Sequence, residues 1–307
     1  MAATKPDILL LQLGDEMQVS IFNDLYSALC QNFEAHYNLI KVSTSAAATN
    51  ALLKPEPRQP KAVLVVDAGL AKRKNKVVQN KLINYAKTGG TLLFCCLFTS
   101  FVPPLNFSAM SRSMELGWGF GDYHRTIFAL NPAFQSVFGS EMFATLEKAY
   151  SMKTVRLTGV PPEAKVYVPT EASRVQSAVF PPDEVDKSQC PAVLQKHGDG
   201  FVGFVGDVNN EAGSQALIMA MLSMSLIQVV PNTCQRLTNP ELAANRTPMS
   251  DVSDEFQDLP GLVGGCVVCG DTTPVKKCAG CKKVQYCSVD CQKDDWKSHR
   301  EQCRKPA

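Results

Sequence analysis

Between residue 1 and about residue 230, short apolar runs alternate with longer amphipathic stretches. Asp7 to Leu13, Asn38 to Val42, Ala62 to Asp67 and Thr91 to Phe98 are compact apolar runs bounded by polar or turn residues, a pattern that predicts strands. Between them Phe22, Leu25, Tyr26 and Leu29 recur at helical spacing. Val77, Val78, Leu82 and Tyr85 do the same in a segment that stops at Gly89-Gly90. Strand and helix in alternation predict an α/β domain with a doubly wound, mostly parallel sheet and short connections. The stretch from Pro103 to Leu130, rich in Gly, Pro and aromatic residues, reads as a long loop or insertion. Short β-type runs recur from Val155 to Val205, and a helix from about Asn210 to Val230 closes a domain of residues 1–230. From Pro231 to Gly265 the pattern gives way to Pro, Asn, Thr, Ser and the acidic Asp251, Asp254, Glu255 and Asp258, without periodicity. That composition predicts a flexible acidic linker over 231–265.

Composition narrows the class. With 45% hydrophobic and 20% charged residues in 307, the chain has the means to bury a core. A net charge of +2 gives no chain-wide positive field, which weighs against direct nucleic-acid binding. The start, Met1 to Leu13, lacks the basic and long apolar regions of a signal peptide. The longest uncharged stretch, Ala212 to Gln235, is broken by Gly213, Ser214, Gln215, Ser223, Ser225, Gln228 and Pro231. Its apolar part falls short of the roughly 20 residues that span a bilayer, so the expectation is an intracellular protein, nuclear or cytoplasmic, with no membrane contact.

Cysteine is the anomaly. Of twelve, seven lie between residues 266 and 303, and in a reducing compartment such density points to metal rather than to disulfides. With His299 they form four pairs: Cys266 and Cys269, Cys278 and Cys281, Cys287 and Cys291, His299 and Cys303. Two intervening residues suit a knuckle that aims both sulfurs at one ion, with Gly270 and Gly280 supplying backbone freedom. A separation of four suits one face of a helix, so Cys287 and Cys291 begin one helical run, capped by Ser288, and Lys293 to Cys303 suits a second. Eight ligands mean two tetrahedral zinc ions, closed and therefore structural, standing in for the core that so short a segment lacks.

The order C-x2-C, C-x2-C, C-x3-C, H-x3-C, with Tyr286 before Cys287 and Trp296 three before His299, resembles the MYND zinc finger over 266–303. The resemblance implies interleaved sites: Cys266, Cys269, Cys287 and Cys291 on one zinc, and Cys278, Cys281, His299 and Cys303 on the other. Spacing alone leaves a sequential pairing open. The resemblance also implies protein–protein interaction, with proline-containing peptides as the expected ligands and Gln292 and Trp296 at the groove positions. Trp296 reads equally as a packing residue between the zinc sites. Ala279 departs from the peptide-binding pattern, lacking the hydroxyl that some relatives carry there. With thiolates and ions counted, the segment carries a net charge of about +1, weak for nucleic acid.

The element order, the Gly89-Gly90 turn and the run from Gly198 to Asn209 resemble class I glutamine amidotransferase-like domains. That resemblance implies a flavodoxin-like layout and, in active members, a nucleophilic cysteine on a glycine-flanked elbow with a histidine and an acid after the closing strand. Here Cys95-Cys96 lies between Phe94 and Leu97, so a strained exposed turn is not expected and buried strand cysteines are. Gly206-Asp207-Val208 stands where the histidine and acid would fall. No catalytic residue is assigned; His124 and His197 remain as imidazoles that could approach a cysteine. Gly117, Gly119 and Gly121 form a G-x-G-x-G run read as a surface loop rather than a phosphate loop, and Lys72, Arg73, Lys74 and Lys76 as a solvated helix start rather than a nuclear address. The expectation is a zinc-binding adaptor. The alternative is a cysteine-dependent hydrolase or amidotransferase-like enzyme that uses the finger for targeting.

Overall fold

The computed structural model describes residues 5–54, 59–177, 181–227, 276–282, 284–286, 289–300 and 303. The linker expected over 231–265, with Cys266, Cys269 and Cys287, lies outside the described residues. The chain divides into two units, Met1–Pro231 and Asn232–Ala307.

In the first unit β1 (Asp7–Leu11), α1 (Glu16–His36), β2 (Asn38–Val42), α2 (Ser45–Leu52), β3 (Ala62–Val65), α3 (Lys76–Lys87) and β4 (Thr91–Phe94) alternate. Helices start where a side chain takes an orphan N–H: Asp15 accepts from the amide of Gln18, and Thr44 from that of Ala47. There follow α4 (Phe98–Phe101), α5 (Pro104–Ser113), β5 (Gly119–Leu130), α6 (Gln135–Phe138), α7 (Ser140–Thr145), β6 (Ala149–Thr158), β7 (Lys165–Pro169), β8 (Ala192–His197), β9 (Gly200–Val205) and α8 (Ala212–Ile227).

Nine strands form one sheet in the order β2-β1-β3-β4-β9-β8-β7-β5-β6. The β2-β1-β3-β4-β9 half is parallel. Residues alternate between two apolar layers: Ile8, Leu10 and Leu64 pack with Phe22, Tyr26 and Phe33 of α1 and Met221 of α8, while Leu9, Leu11, Val63 and Val65 pack with Leu82 and Tyr85 of α3. Strands buried on both faces read as unbroken apolar runs, which is why the sequence pattern found them. Leu25 and Val77 share the helical spacing but point outward, 53% and 61% exposed.

The other half departs from the mostly parallel expectation. Strands β8, β7, β5 and β6 are each antiparallel to their neighbour, so the sheet is mixed. For β8 and β9 the cause is connection length: they join through a tight turn in which Gly198 takes a φ of 63°, leaving no chain for a crossover helix. This half curls round, since Leu157 of β6 donates to the carbonyl of Cys190 (2.8 Å) and Val155 to that of Gly206 (3.0 Å). Nor is Pro103 to Leu130 a loop. Pro104 opens α5, and the glycine run enters the twelve-residue β5, whose register slips between Phe120 and Tyr123. A Cβ on Gly121 would sit 2.2 Å from Gln189 Oε1, so glycine there makes room for the amide that accepts from the Asp122 N–H.

In the second unit β10 (Lys276–Lys277) pairs antiparallel with β11 (Gln285–Tyr286), ahead of α9 (Val289–His299). The two expected helices are a single one. It ends at His299, so Cys303 reaches its partners from the chain beyond and not from a shared helical face.

Candidate metal centre

Four soft donors converge in the second unit. The ligand atoms of Cys278, Cys281, His299 and Cys303 all lie within 4.8 Å of one another, and all but Cys303 are buried. Cys278 Sγ is 3.8 Å from Cys303 Sγ, and Cys281 Sγ is 3.4 Å from His299 Nε2. A tetrahedron with metal–sulfur bonds of about 2.3 Å and metal–nitrogen bonds of about 2.0 Å has edges of about 3.8 Å and about 3.5 Å, so these two edges match those of a zinc site. Three thiols and one imidazole suit zinc chemically as well.

The knuckle is built for this. Cys278 donates its N–H to the carbonyl of Val284 and Lys282 donates back to that of Cys278, closing the turn over Ala279 and Gly280. Backbone N–H groups of Cys281 and Gly280 aimed at the Cys278 sulfur hold its thiol below the usual range, which favours the ligating thiolate. Loss of solvent and the neighbouring Cys278 and Cys281 sulfurs push Cys303 up to about 11, a repulsion that a divalent cation relieves. Gly280 serves by its size: a Cβ there would lie 2.9 Å from Cys303 Sγ, inside the space of the ligands.

Tyr286, 3% exposed, anchors α9 to β11 by donating its hydroxyl to Asp295 Oδ2 at 2.7 Å, and its ring meets His299 edge-on at 6.3 Å. Trp296 packs an edge on the same imidazole at 6.1 Å yet stays 47% exposed, so it packs and presents a surface at once. Gln292 lies one turn before it, half-buried. The Cys291 backbone lies in α9, and the partners expected for it, Cys266, Cys269 and Cys287, lie outside the described residues.

The other candidate is the C-terminal edge of the parallel strands, where open α/β sheets bind ligands. Cys95 and Cys96 are not strand residues; they form the turn between β4 and α4, and Cys96 has a φ of 59°. The strained elbow therefore exists without flanking glycines, held by the Cys95 N–H donating to the carbonyl of Val65 (3.1 Å) and the Phe98 N–H to that of Cys95 (3.2 Å). It does not present a nucleophile. Cys96 is 3% exposed, its thiol is pushed well above the usual range by burial first and by Cys95, and the more distant groups acting on it are Cys30 and Asp207, not an imidazole. Asp207 is structural: its two carboxylate oxygens accept from the N–H groups of Asn209 and Glu211, leading into α8. His124 and His197 are both held below the usual imidazole range, first by burial, then by Arg156 and Lys87 respectively. The crevice between β1 and β3 is closed by backbone, since a Cβ on Gly69 would fall 2.0 Å from the carbonyl carbon of Leu13.

Residues 266–303 match the MYND finger family. A 39-residue stretch is 54% identical to the Tudor domain-containing protein 1 of Oryzias latipes, covering 13% of this chain and 3% of that one. A 112-residue stretch is 52% identical to the zinc finger MYND domain-containing protein 10 homolog of Drosophila melanogaster, covering 32% of this chain and 25% of that one. The chain thus spans a quarter or less of these relatives' lengths. Among solved structures, a ThuA-like protein from Bacteroides uniformis aligns over 73% of this chain and 93% of its own at 9% identity and a TM-score of 0.49. A beta-galactosidase from Bacillus circulans aligns over 71% of this chain and 31% of its own, at 13% identity and a TM-score of 0.41. At those scores neither likeness assigns an activity. The chain carries a MYND-type, metal-binding zinc finger and, as a separate unit, an α/β domain built on a mixed sheet, and among the described residues no helix is long and apolar enough to cross a membrane.

Proposed function

We propose that this protein is an intracellular adaptor, nuclear or cytoplasmic, whose finger recruits a protein partner through a peptide contact at Trp296 and Gln292, with proline-containing peptides as its ligand class. The observation that carries the reading is Trp296 itself. On a helix that commits His299 to the metal cluster, it keeps 47% of its surface open, and an indole left in water at the edge of a rigid site is the usual form of an interface anchor. Two zinc ions hold the finger in this reading, the first on Cys266, Cys269, Cys287 and Cys291 and the second on Cys278, Cys281, His299 and Cys303. Four protein ligands each leave no open position, so the ions are structural. The α/β unit is the scaffold; its β2-β1-β3-β4-β9 order supports a flavodoxin-like parallel half. Peptide pull-down with wild type and Trp296→Ala tests the role. Partner capture should fall at least tenfold with zinc content unchanged, and capture that survives the substitution removes the groove.

The turn at Cys96 favours a second reading, a thiol enzyme, because a positive φ between strand and helix is how such nucleophiles are displayed. Its burial and the raised thiol argue against that reading. Unchanged turnover of any substrate by Cys96→Ser would dispose of it.

A further inference from the structure

The helix α9 exposes a stripe of a particular composition. Val289, Lys293, Trp296 and Arg300 follow at intervals of four, three and four residues and so lie along one helical face. All four are exposed, Val289 at 66%, and the Arg300 N–H donates to the carbonyl of Trp296 at 3.0 Å, carrying the helical register to the last of them. Among the described residues neither Lys293 nor Arg300 forms an ion pair. No position of the stripe is acidic. Two exposed cations therefore bracket one open indole.

We propose that this stripe selects peptides whose apolar, proline-containing core is flanked on both sides by acidic side chains. The inference rests on the peptide-binding reading above and adds its charge requirement. Lys293 and Arg300 are seven residues apart, about 10 Å along the helix at 1.5 Å per residue. A proline-containing peptide in the polyproline II form has three residues per turn and rises about 3.1 Å per residue, so acidic side chains at positions i and i+3 share one face about 9 Å apart and match the two cations, while the residues between them pass over Trp296. Exposed ion pairs each contribute about 0.2–1 kcal/mol and are screened by salt, so two pairs amount to a two- to thirtyfold preference at low ionic strength.

The test uses the zinc-loaded full chain and two fluorescein-labelled twelve-residue peptides, one centred on Glu-Leu-Pro-Glu and its twin on Gln-Leu-Pro-Gln, titrated by anisotropy. The glutamate peptide should bind about two- to thirtyfold more tightly in 20 mM salt, with the gap closing in 1 M salt and in Lys293→Gln/Arg300→Gln. Equal binding of the two peptides, both abolished by Trp296→Ala, overturns the charge requirement and leaves the peptide reading intact. Binding of neither peptide, or binding indifferent to Trp296→Ala, defeats both. A twelve-nucleotide RNA that binds through the same two cations, with the glutamate peptide failing to compete, also overturns the proposal, because the stripe would then read phosphate.

Discussion

Removing zinc should unfold the finger and leave the α/β unit standing. In the second unit the buried side chains among the described residues are Cys278, Cys281, Tyr286 and His299, and three of these belong to the ligand cluster. Among the described residues Tyr286 is the fully buried apolar side chain outside the ligand set, and its burial of about 200 Å² is worth about 5 kcal/mol. Against it stands the ordering of the eleven residues of α9, which costs about 11–20 kcal/mol in backbone entropy. A structural zinc site contributes on the order of 10–16 kcal/mol, enough to reverse that balance, and the observed 3.8 Å and 3.4 Å edges mean that the ion finds its ligands in place. The assay is a ¹⁵N-labelled full chain, brought to less than about 0.1 zinc per chain by a strong chelator. Resonances of Val289–His299 should collapse to the centre of the amide spectrum while those of β3 and β4 keep their dispersion, and added zinc should restore them. If α9 keeps its native shifts in verified zinc-free protein, the claim that metal replaces a core in this unit is wrong.

Four further outcomes follow from particular contacts. Gly280→Ala pushes a methyl to 2.9 Å from Cys303 Sγ and should weaken zinc binding by about tenfold or more in competition with a chelating indicator. Gly69→Ala drives a Cβ to 2.0 Å from the Leu13 carbonyl carbon, and only backbone displacement relieves it; urea unfolding should show a loss on the order of 3 kcal/mol. Asp67, 1% exposed, has its carboxyl raised by burial against the pull of the Gly14, Gly69 and Leu13 N–H groups. A raised acid favours the fold below its unfolded value of about 3.9 and loses that contribution as pH climbs through its folded value. Asp67→Asn should therefore gain on wild type in thermal unfolding as pH rises from about 4 towards neutrality, and parallel pH curves would contradict this. Iodoacetamide at pH 8 should leave Cys30, Cys95, Cys96 and Cys190 of the native chain unmodified, with Cys190 pushed up to about 12 by burial, and alkylate all four in denaturant.

The sequence by itself determined what depends on local pattern. Strands β1, β3 and β4 are apolar runs buried on both faces, and α1 and α3 repeat their apolar positions at helical spacing, so each announces itself within a dozen residues. The finger was legible for a related reason: thiols at knuckle spacing with a histidine have few other uses. What only the tertiary structure decided is which distant residues meet. Whether β5 to β8 run parallel or antiparallel depends on how their connections close in space, and the glycines that read as a loop sit in β5 because Gln189, sixty-eight residues on from Gly121, fills the space a side chain would take. The positive φ of Cys96 accompanies a bond that only the folded sheet supplies, the Cys95 N–H to the carbonyl of Val65 at the end of β3, together with the local one from the Phe98 N–H to the carbonyl of Cys95. In the finger, spacing gave the pairs, but the meeting of Cys278 and Cys281 with His299 and Cys303 is a three-dimensional fact. A pair separated by two residues fixes only its own turn, and the partner pair is chosen by where α9 carries its end.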